Sequence, residues 1–241
     1  MKSYSIFILG CLFASSFFVS ADDHAEPNAN TGAFTTFIVA ATDYEAYLET
    51  LKSTPGLFQS VGPTAAGYCR TLTGQDFRGQ MFIWNAYSDV TTALSEFSAY
   101  DPEKAPPAIA SLREPKYSVA WKPLKAFETL TPGFERVQRV KVSPKNMKAF
   151  IQGLAKIEKA IQDAGYGSFQ NALFVAMGGG VNEVDTYTLR SVTPDAEAHG
   201  KIIDDYFSGA SWGSAWPAVA ALIDEVQSDN FEECGMLYTA E

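Results

Sequence analysis

Along this chain, stretches in which apolar and polar residues alternate are separated by stretches in which apolar residues recur every three or four positions, so strands and helices are predicted in turn. Phe34 to Ala41 reads as a strand. Thr42, with Glu45 three residues on, predicts a helix start, and Tyr44, Tyr47, Leu48 and Leu51 form its apolar stripe until Pro55-Gly56 stops it. Thr64 to Thr73 and Gln80 to Ser88 predict two strands joined by a polar turn holding Gly74, Asp76 and Gly79. Ser88 is the expected cap of a second helix with the stripe Val90, Ala93, Leu94 and Phe97. The proline-rich stretch Asp101 to Pro107 breaks it, a short helical piece through Leu112 follows, and Tyr117 to Lys122 is a closing strand.

After Thr131-Pro132-Gly133 the series begins again. Phe134 to Val142 predicts a strand, and Ser143-Pro144 opens a helix with proline at its first position, carrying the stripe Met147, Phe150, Ile151, Leu154, Ile157 and Ile161. Ser168 to Met177 and Glu183 to Val192 predict strands around the turn Gly178-Gly179-Gly180. Thr193 with Asp195 starts a helix bearing Ile202, Ile203, Tyr206 and Phe207. Gly209 to Gly213 interrupts it, a piece with Trp216, Val219, Ala220 and Ile223 follows, and Gly235 to Thr239 closes the set. The predicted caps Thr42 and Ser143 lie 101 apart, and Ser88 and Thr193 lie 105 apart. Element order with matching interruptions therefore reads as an internal duplication: module one over residues 33–128, a hinge at 129–133, and module two over 134–241.

Strand, helix, strand, strand, helix, strand is the order of the ferredoxin-like fold, in which two helices cover one face of a four-stranded antiparallel sheet and the other face must be buried. The chain resembles the dimeric α/β-barrel superfamily in a single-chain, tandem form, on element order and the broken second helices rather than on a signature motif. That resemblance implies an α+β fold in which two βαββαβ modules close their sheets into one pseudo-symmetric barrel. Members include cofactor-independent monooxygenases, small-molecule decarboxylases and dehydratases, and haem enzymes such as chlorite dismutases. In such a barrel the second strand of one module lies beside the fourth strand of the other, so the resemblance implies that Cys69 and Cys234 are neighbours and a candidate disulfide; two unpaired buried cysteines are the alternative.

Composition narrows the setting. Lys2, the apolar run from Tyr4 to Phe18 and Val19-Ser20-Ala21 read as a secretory signal over residues 1–21, followed by a polar leader over residues 22–32. Export to a periplasmic or extracellular compartment is expected. Ile8-Leu9-Gly10-Cys11 also resembles a lipoprotein box, with anchoring at Cys11 as the alternative. Removing Lys2 with the signal leaves 17 basic against 28 acidic residues, a balance of −11. Such a surface argues against nucleic acid and anionic membranes as partners, and no further segment has the apolar length of a membrane span. A small-molecule ligand is the expected partner.

Chemistry is the least marked feature. Of the two histidines, His24 falls in the leader and His199 on a helix stripe, so neither a haem ligand, a Ser-His-Asp triad nor a histidine metal site is expected, nor any other cofactor or metal. Gly178 to Gly180 lacks the helix with Lys and Ser/Thr of a phosphate loop. Asp204-Asp205 and Glu232-Glu233 read as solvated charge. Strand alternation places Thr186, Thr188 and Arg190 on one face of module two's third strand, with Met81, Ile83 and Asn85 as counterparts and Tyr87 next in line. Tyr68 and Arg70 share a face of the preceding strand, and Asn171 lies in its counterpart. With Trp212 at a pocket mouth, these residues are the ligand-pocket candidates, lining a space between the two sheets. The expected function is binding of a small apolar or aromatic molecule, with cofactor-independent monooxygenase-like chemistry; the alternatives are a binding or scaffold protein with a filled barrel and, remotely, a haem enzyme.

Overall fold

A computed structural model describes residues 32–240, so the predicted signal, the Cys11 box, His24 and the leader up to residue 31 lie outside the described residues. The first module runs β1 (Ala33–Ala41), α1 (Tyr44–Lys52), α2 (Gly56–Val61), β2 (Ala65–Thr71), β3 (Gln80–Tyr87), α3 (Val90–Ala99), α4 (Pro107–Ala110) and β4 (Arg113–Lys125). The second runs β5 (Phe134–Lys141), α5 (Met147–Asp163), β6 (Gln170–Met177), β7 (Tyr187–Thr193), α6 (Ala196–Phe207), α7 (Trp216–Ala220) and β8 (Glu225–Thr239).

Three of these helices begin on an aspartate. Asp43 accepts from the Ala46 amide at 3.0 Å, Asp89 from Thr92 at 2.8 Å and Asp195 from Ala198 at 2.8 Å, each satisfying an amide that the first turn leaves free. The caps expected at Thr42 and Ser88 are thereby displaced by one residue, because the carboxylate next in line is the stronger acceptor. Ser143 does not cap α5; its hydroxyl donates to Asp224, and Pro144 opens a 3₁₀ turn that runs into the helix. Pro55-Gly56 was expected to end the first helical region. α1 does end there, at Lys52, and a further short helix, α2, opens at Gly56; Gly62, at φ 73°, closes it in the left-handed conformation that glycine adopts without steric cost.

The eight strands form a closed barrel in the order β1-β3-β2-β8-β5-β7-β6-β4, with every neighbouring pair antiparallel. Each module contributes its strands in the order fourth, first, third, second. The seams are β2 against β8 and β4 against β6, so both fourth strands pair across to the other module. β4 and β8 are longer than their local patterns predict, and bulges opposite Ile38/Val39 and Arg139/Val140 keep their pairing with β1 and β5 going. Two tandem ferredoxin-like modules thus make one α/β barrel, as the element order implies.

The helices cover the outside of the barrel. Phe150, Leu154, Ile157 and Ile161 of α5 pack with Val140, Leu173 and Leu189 in module two, and Tyr47, Leu48, Leu51 and Phe58 pack with Val39, Met81 and Ile83 in module one. Residues of opposite parity, among them Phe34, Thr36, Ile38, Phe82, Trp84, Tyr117 and Trp121, point into the barrel. Gly67 is required there: a Cβ at this position would meet the Trp84 indole at 2.3 Å and the Gly235 carbonyl oxygen at 2.3 Å. The large ring and the missing side chain are one packing unit.

Candidate functional site

Two cavities lie on opposite faces of the module-one sheet. The first, about 110 Å³, is inside the barrel. At one end it is walled by Phe34, Trp84, Trp121, Phe127 and Phe174, and the linker residues Leu130, Thr131 and Pro132 border it. Deeper in, Arg190 of β7 reaches Glu135 of β5 through Nε at 2.6 Å and Glu232 of β8 through Nη2 at 2.6 Å. Arg190 also lies 3.6 and 3.7 Å from the sulfurs of Cys69 and Cys234, which form a disulfide across the β2–β8 seam, and 5.3 Å over the Phe82 ring. At the far end Arg139 donates to both oxygens of Glu183, at 2.9 and 2.6 Å, and to the Tyr117 hydroxyl at 3.2 Å. Gly179 makes room for that carboxylate, since a Cβ there would meet Glu183 Cγ at 2.6 Å. Burial holds Glu135 above the usual carboxylate range, against the pull of Arg190, and the neighbouring Glu232 adds to the rise.

The second cavity, about 190 Å³, lies between the outer face of the same sheet and its helices. Tyr47, Leu51, Leu57, Phe58, Ile83 and Ile109 are among its apolar walls, and its polar end is Thr35 of β1, Asn85 of β3, Glu96 of α3 and Tyr100. Thr35 donates to Glu96 Oε2, and Asn85 Nδ2 donates to Glu96 Oε1 at 2.7 Å, which leaves Asn85 Oδ1 buried with no partner among the described residues. Burial pushes the Glu96 carboxyl up, and the hydrogen bonds from Thr35 and Asn85, with the Tyr87 hydroxyl nearby, only partly offset this. The buried Tyr87 hydroxyl has no well-aligned hydrogen bond; burial and the nearby Glu96 charge hold its proton on. Behind Tyr100, Arg113 Nη2 donates to the phenolic oxygen at 2.7 Å while the guanidinium stacks on Phe37 at 4.4 Å. Arg113 Nε and Nη1 are sealed from solvent without a partner among the described residues. Because its oxygen already accepts from Arg113, the Tyr100 hydroxyl is free to donate into the cavity.

The sequence-predicted pocket divides between these places. Arg190 and Thr188 line the barrel interior. Asn85 and Tyr87 do not: they lie on the outer face, where they meet Glu96. Tyr68 and Arg70 are also on the outer face, grouped around Tyr44 at 6.2 and 4.6 Å, and Asn171 lies under α5 with Nδ2 on the Leu154 carbonyl at 3.0 Å. The expectation that these five share a space between the sheets is therefore corrected; a one-residue shift in facing puts Phe82 and Trp84, not Met81, Ile83 and Asn85, inside. Trp212 packs against the module-two helices and lines neither cavity. Glu232, expected in solvent, is buried on Arg190. Glu96, Glu135, Tyr100 and Arg113 were not singled out from sequence. The one available signal was Glu96 itself, a carboxylate three residues after Ala93 on the buried side of its helix.

No family model matches the chain, and no curated protein matches it by sequence. Solved structures do match in shape. An anthrone oxidase-like protein aligns at TM-score 0.53 and 9% identity over 88% of this chain and 98% of its own. A protein described as a candidate monooxygenase from Lactobacillus acidophilus NCFM aligns at TM-score 0.56 and 11% identity, over 86% and 95%. The chain has the fold of the dimeric α/β-barrel proteins, in tandem form. A haem-binding protein from Thermus thermophilus aligns to this barrel at TM-score 0.50 and 10% identity, over 85% and 91%.

Among the described residues, none fits haem held by histidine. His199 is buried on α6 with Nδ1 3.1 Å from the Thr193 hydroxyl and its ring edge-on to Phe134 and Phe231, away from both cavities. Burial lowers its pKa to about 4, so it stays a neutral packing group. In module two, moreover, the space corresponding to the second cavity is filled by Phe150, Leu154 and Ile202. No helix among the described residues is long and apolar enough to cross a membrane.

Proposed function

We propose that this barrel protein binds a small, largely apolar or aromatic molecule in the cavity between the module-one sheet and its helices, and removes a proton from it without an organic cofactor or metal. Glu96, facing that cavity from an apolar setting, is the base. A carboxyl whose proton affinity is raised by burial is matched to abstraction near neutral pH. Tyr100, held by Arg113, donates to the oxygen on which charge develops, and the partnerless Asn85 Oδ1 accepts from a hydroxyl or amine of the bound molecule. The single observation that carries this reading is a buried carboxyl at the polar end of a largely apolar cavity, beside a sealed, unused acceptor.

Monooxygenase-like chemistry follows from the same base when the substrate is a CH₂ group next to a phenol or ketone. Proton loss gives a carbanion, dioxygen adds to it, the peroxide takes up a proton, and loss of water leaves a ketone. Dioxygen is the oxidant and needs no bound partner. Export from the cytoplasm belongs to this proposal, supported by a disulfide, which forms and persists in oxidising compartments. A second reading, a binding or scaffold protein with a filled barrel, is favoured by the interior cavity, which is well below the ~300–1,000 Å³ of drug-sized ligand sites.

Deuterium incorporation into 2-tetralone in D₂O, followed by NMR, tests the assignment. Enhanced exchange with the wild-type protein that is lost in Glu96→Gln, and lost when Ile83→Trp fills the cavity, is the expected result. Exchange that is unchanged in both variants overturns it.

A further inference from the structure

The barrel interior carries a charge imbalance that the proposed function leaves unused. Five charged residues line that cavity: Glu135, Glu183 and Glu232 against Arg139 and Arg190. Arg139 and Glu183 close on each other through two hydrogen bonds, so that pair is neutral. Arg190 is the one cation hydrogen-bonded to the other two carboxylates among the described residues, donating to one oxygen of each, Oε2 of Glu135 and Oε2 of Glu232. One negative charge is left over in a place where the Glu135 and Glu232 side chains are each 6% exposed. An uncompensated charge at such a depth is costly, and it is relieved either by a proton on Glu135, whose carboxyl burial and Glu232 already push up, or by a counter-charge that joins it.

The walls next to that excess are aromatic. Phe34 stands edge-on to Phe174 at 5.7 Å and to Trp84 at 6.4 Å, Phe127 lies 5.9 Å from Phe174, and the Trp121 indole is fixed by its hydrogen bond to Thr36 at 2.9 Å. All five rings border the same space. A ring face attracts a cation through its quadrupole, and an organic ammonium gains more from such a lining than a hydrated metal ion, which must shed tightly held water. Leu130 at the cavity edge is 40% exposed, which puts the opening at the linker between the modules.

We propose that the barrel interior is a binding site for a small organic cation, a methylated or protonated amine of a few heavy atoms, seated between the aromatic end and the Glu135–Arg190–Glu232 cluster. Its quaternary or protonated nitrogen supplies the missing positive charge, and its alkyl groups fill the apolar half. The volume of about 110 Å³ limits it to a molecule near the size of choline or trimethylammonium. The site is independent of the helix-side cavity, since the strands of module one separate the two.

Thermal unfolding and calorimetric titration with choline chloride, its uncharged carbon isostere 3,3-dimethylbutan-1-ol, and potassium chloride at matched ionic strength test this directly. The expected result is a saturable rise in Tm and a saturable heat with choline alone. Glu135→Gln, which removes the excess charge while keeping a side chain of the same shape, is expected to weaken choline at least tenfold. Should that variant fail to fold, Trp121→Phe reads the aromatic contribution and is expected to weaken choline severalfold. Glu96→Gln is expected to leave the choline response intact, so loss of deuterium exchange and loss of cation binding are separable. No saturable response to choline, an equal response to the uncharged isostere, or an equal response to potassium overturns the proposal.

Discussion

Glu96 in α3 and Ile202 in α6 stand at the same place in the two modules, each seven residues beyond the aspartate that caps its helix. Ile202 joins the apolar layer between α5 and its sheet, whereas Glu96 meets Thr35 and Asn85 beside an open cavity. Module two covers its sheet with a 17-residue helix, where module one has α1 of 9 residues and α2 of 6. A repeated scaffold has thus been packed shut in one copy and left with a polar-ended cavity in the other. Function is accordingly expected in module one.

Replacing Glu96 makes that difference measurable. Because burial raises its folded-state proton affinity, the folded protein holds this proton to higher pH than the unfolded chain does. Stability from this group is therefore complete below the ordinary carboxylate range and is lost as pH rises through the raised value. Urea titrations between about pH 4 and 8 should show wild-type stability falling relative to Glu96→Gln as pH rises. A wild-type curve parallel to the variant's would mean that Glu96 is not buried as described.

Arg190→Ala should destabilise the fold by about 3–5 kcal/mol, because it strands Glu135 and Glu232 in the barrel without their cation. Adding Glu135→Gln and Glu232→Gln to the same variant should recover most of the loss. Chemical denaturation of the single and triple variants checks both statements.

The Cys69–Cys234 bridge joins strands of different modules across 165 residues. Loss of both cysteines, as Cys69→Ala with Cys234→Ala, should lower stability by about 2–5 kcal/mol. Denaturant midpoints of wild type without reductant, wild type with reductant, and the double variant give the comparison; the last two should coincide.

His199 provides a limb of acid sensitivity. Its pKa is lowered to about 4 from an ordinary 6.5, so the unfolded chain binds a proton that the folded one refuses. Stability should fall as pH drops from about 6.5 towards about 4, by up to ~3 kcal/mol, and level off below. His199→Phe should flatten that limb, and titration of the histidine by NMR locates the pKa directly.

Element order and its repetition were legible because strand and helix periods and turn residues are local properties of the chain, whereas the pairing of cysteines 165 residues apart was implied only by the resemblance to tandem barrels. The facing of β3 was not. Met81-Phe82-Ile83-Trp84 is apolar on both sides, so alternation offers no choice between them, and the covering helices settle it by taking Met81 and Ile83. α3 misled for a related reason. Leu94 and Phe97 suggested the stripe, yet they are 46% and 45% exposed while Ala93 and Glu96 are buried.

By itself the sequence determined that two α+β units would form, the order of their elements, and that each needed a partner for a bare sheet face, since these follow from short-range propensity and the cost of exposed apolar surface. Only the tertiary structure decided which side chains share a space. Arg190, Glu135 and Glu232 come from three strands up to 97 positions apart and meet because β5 is flanked by β7 and β8 in a closed barrel. Glu96 becomes a buried group because the helices above its sheet are too short to fill the layer. Both outcomes depend on which surfaces close on one another, and that is a property of the packed chain rather than of any segment in it.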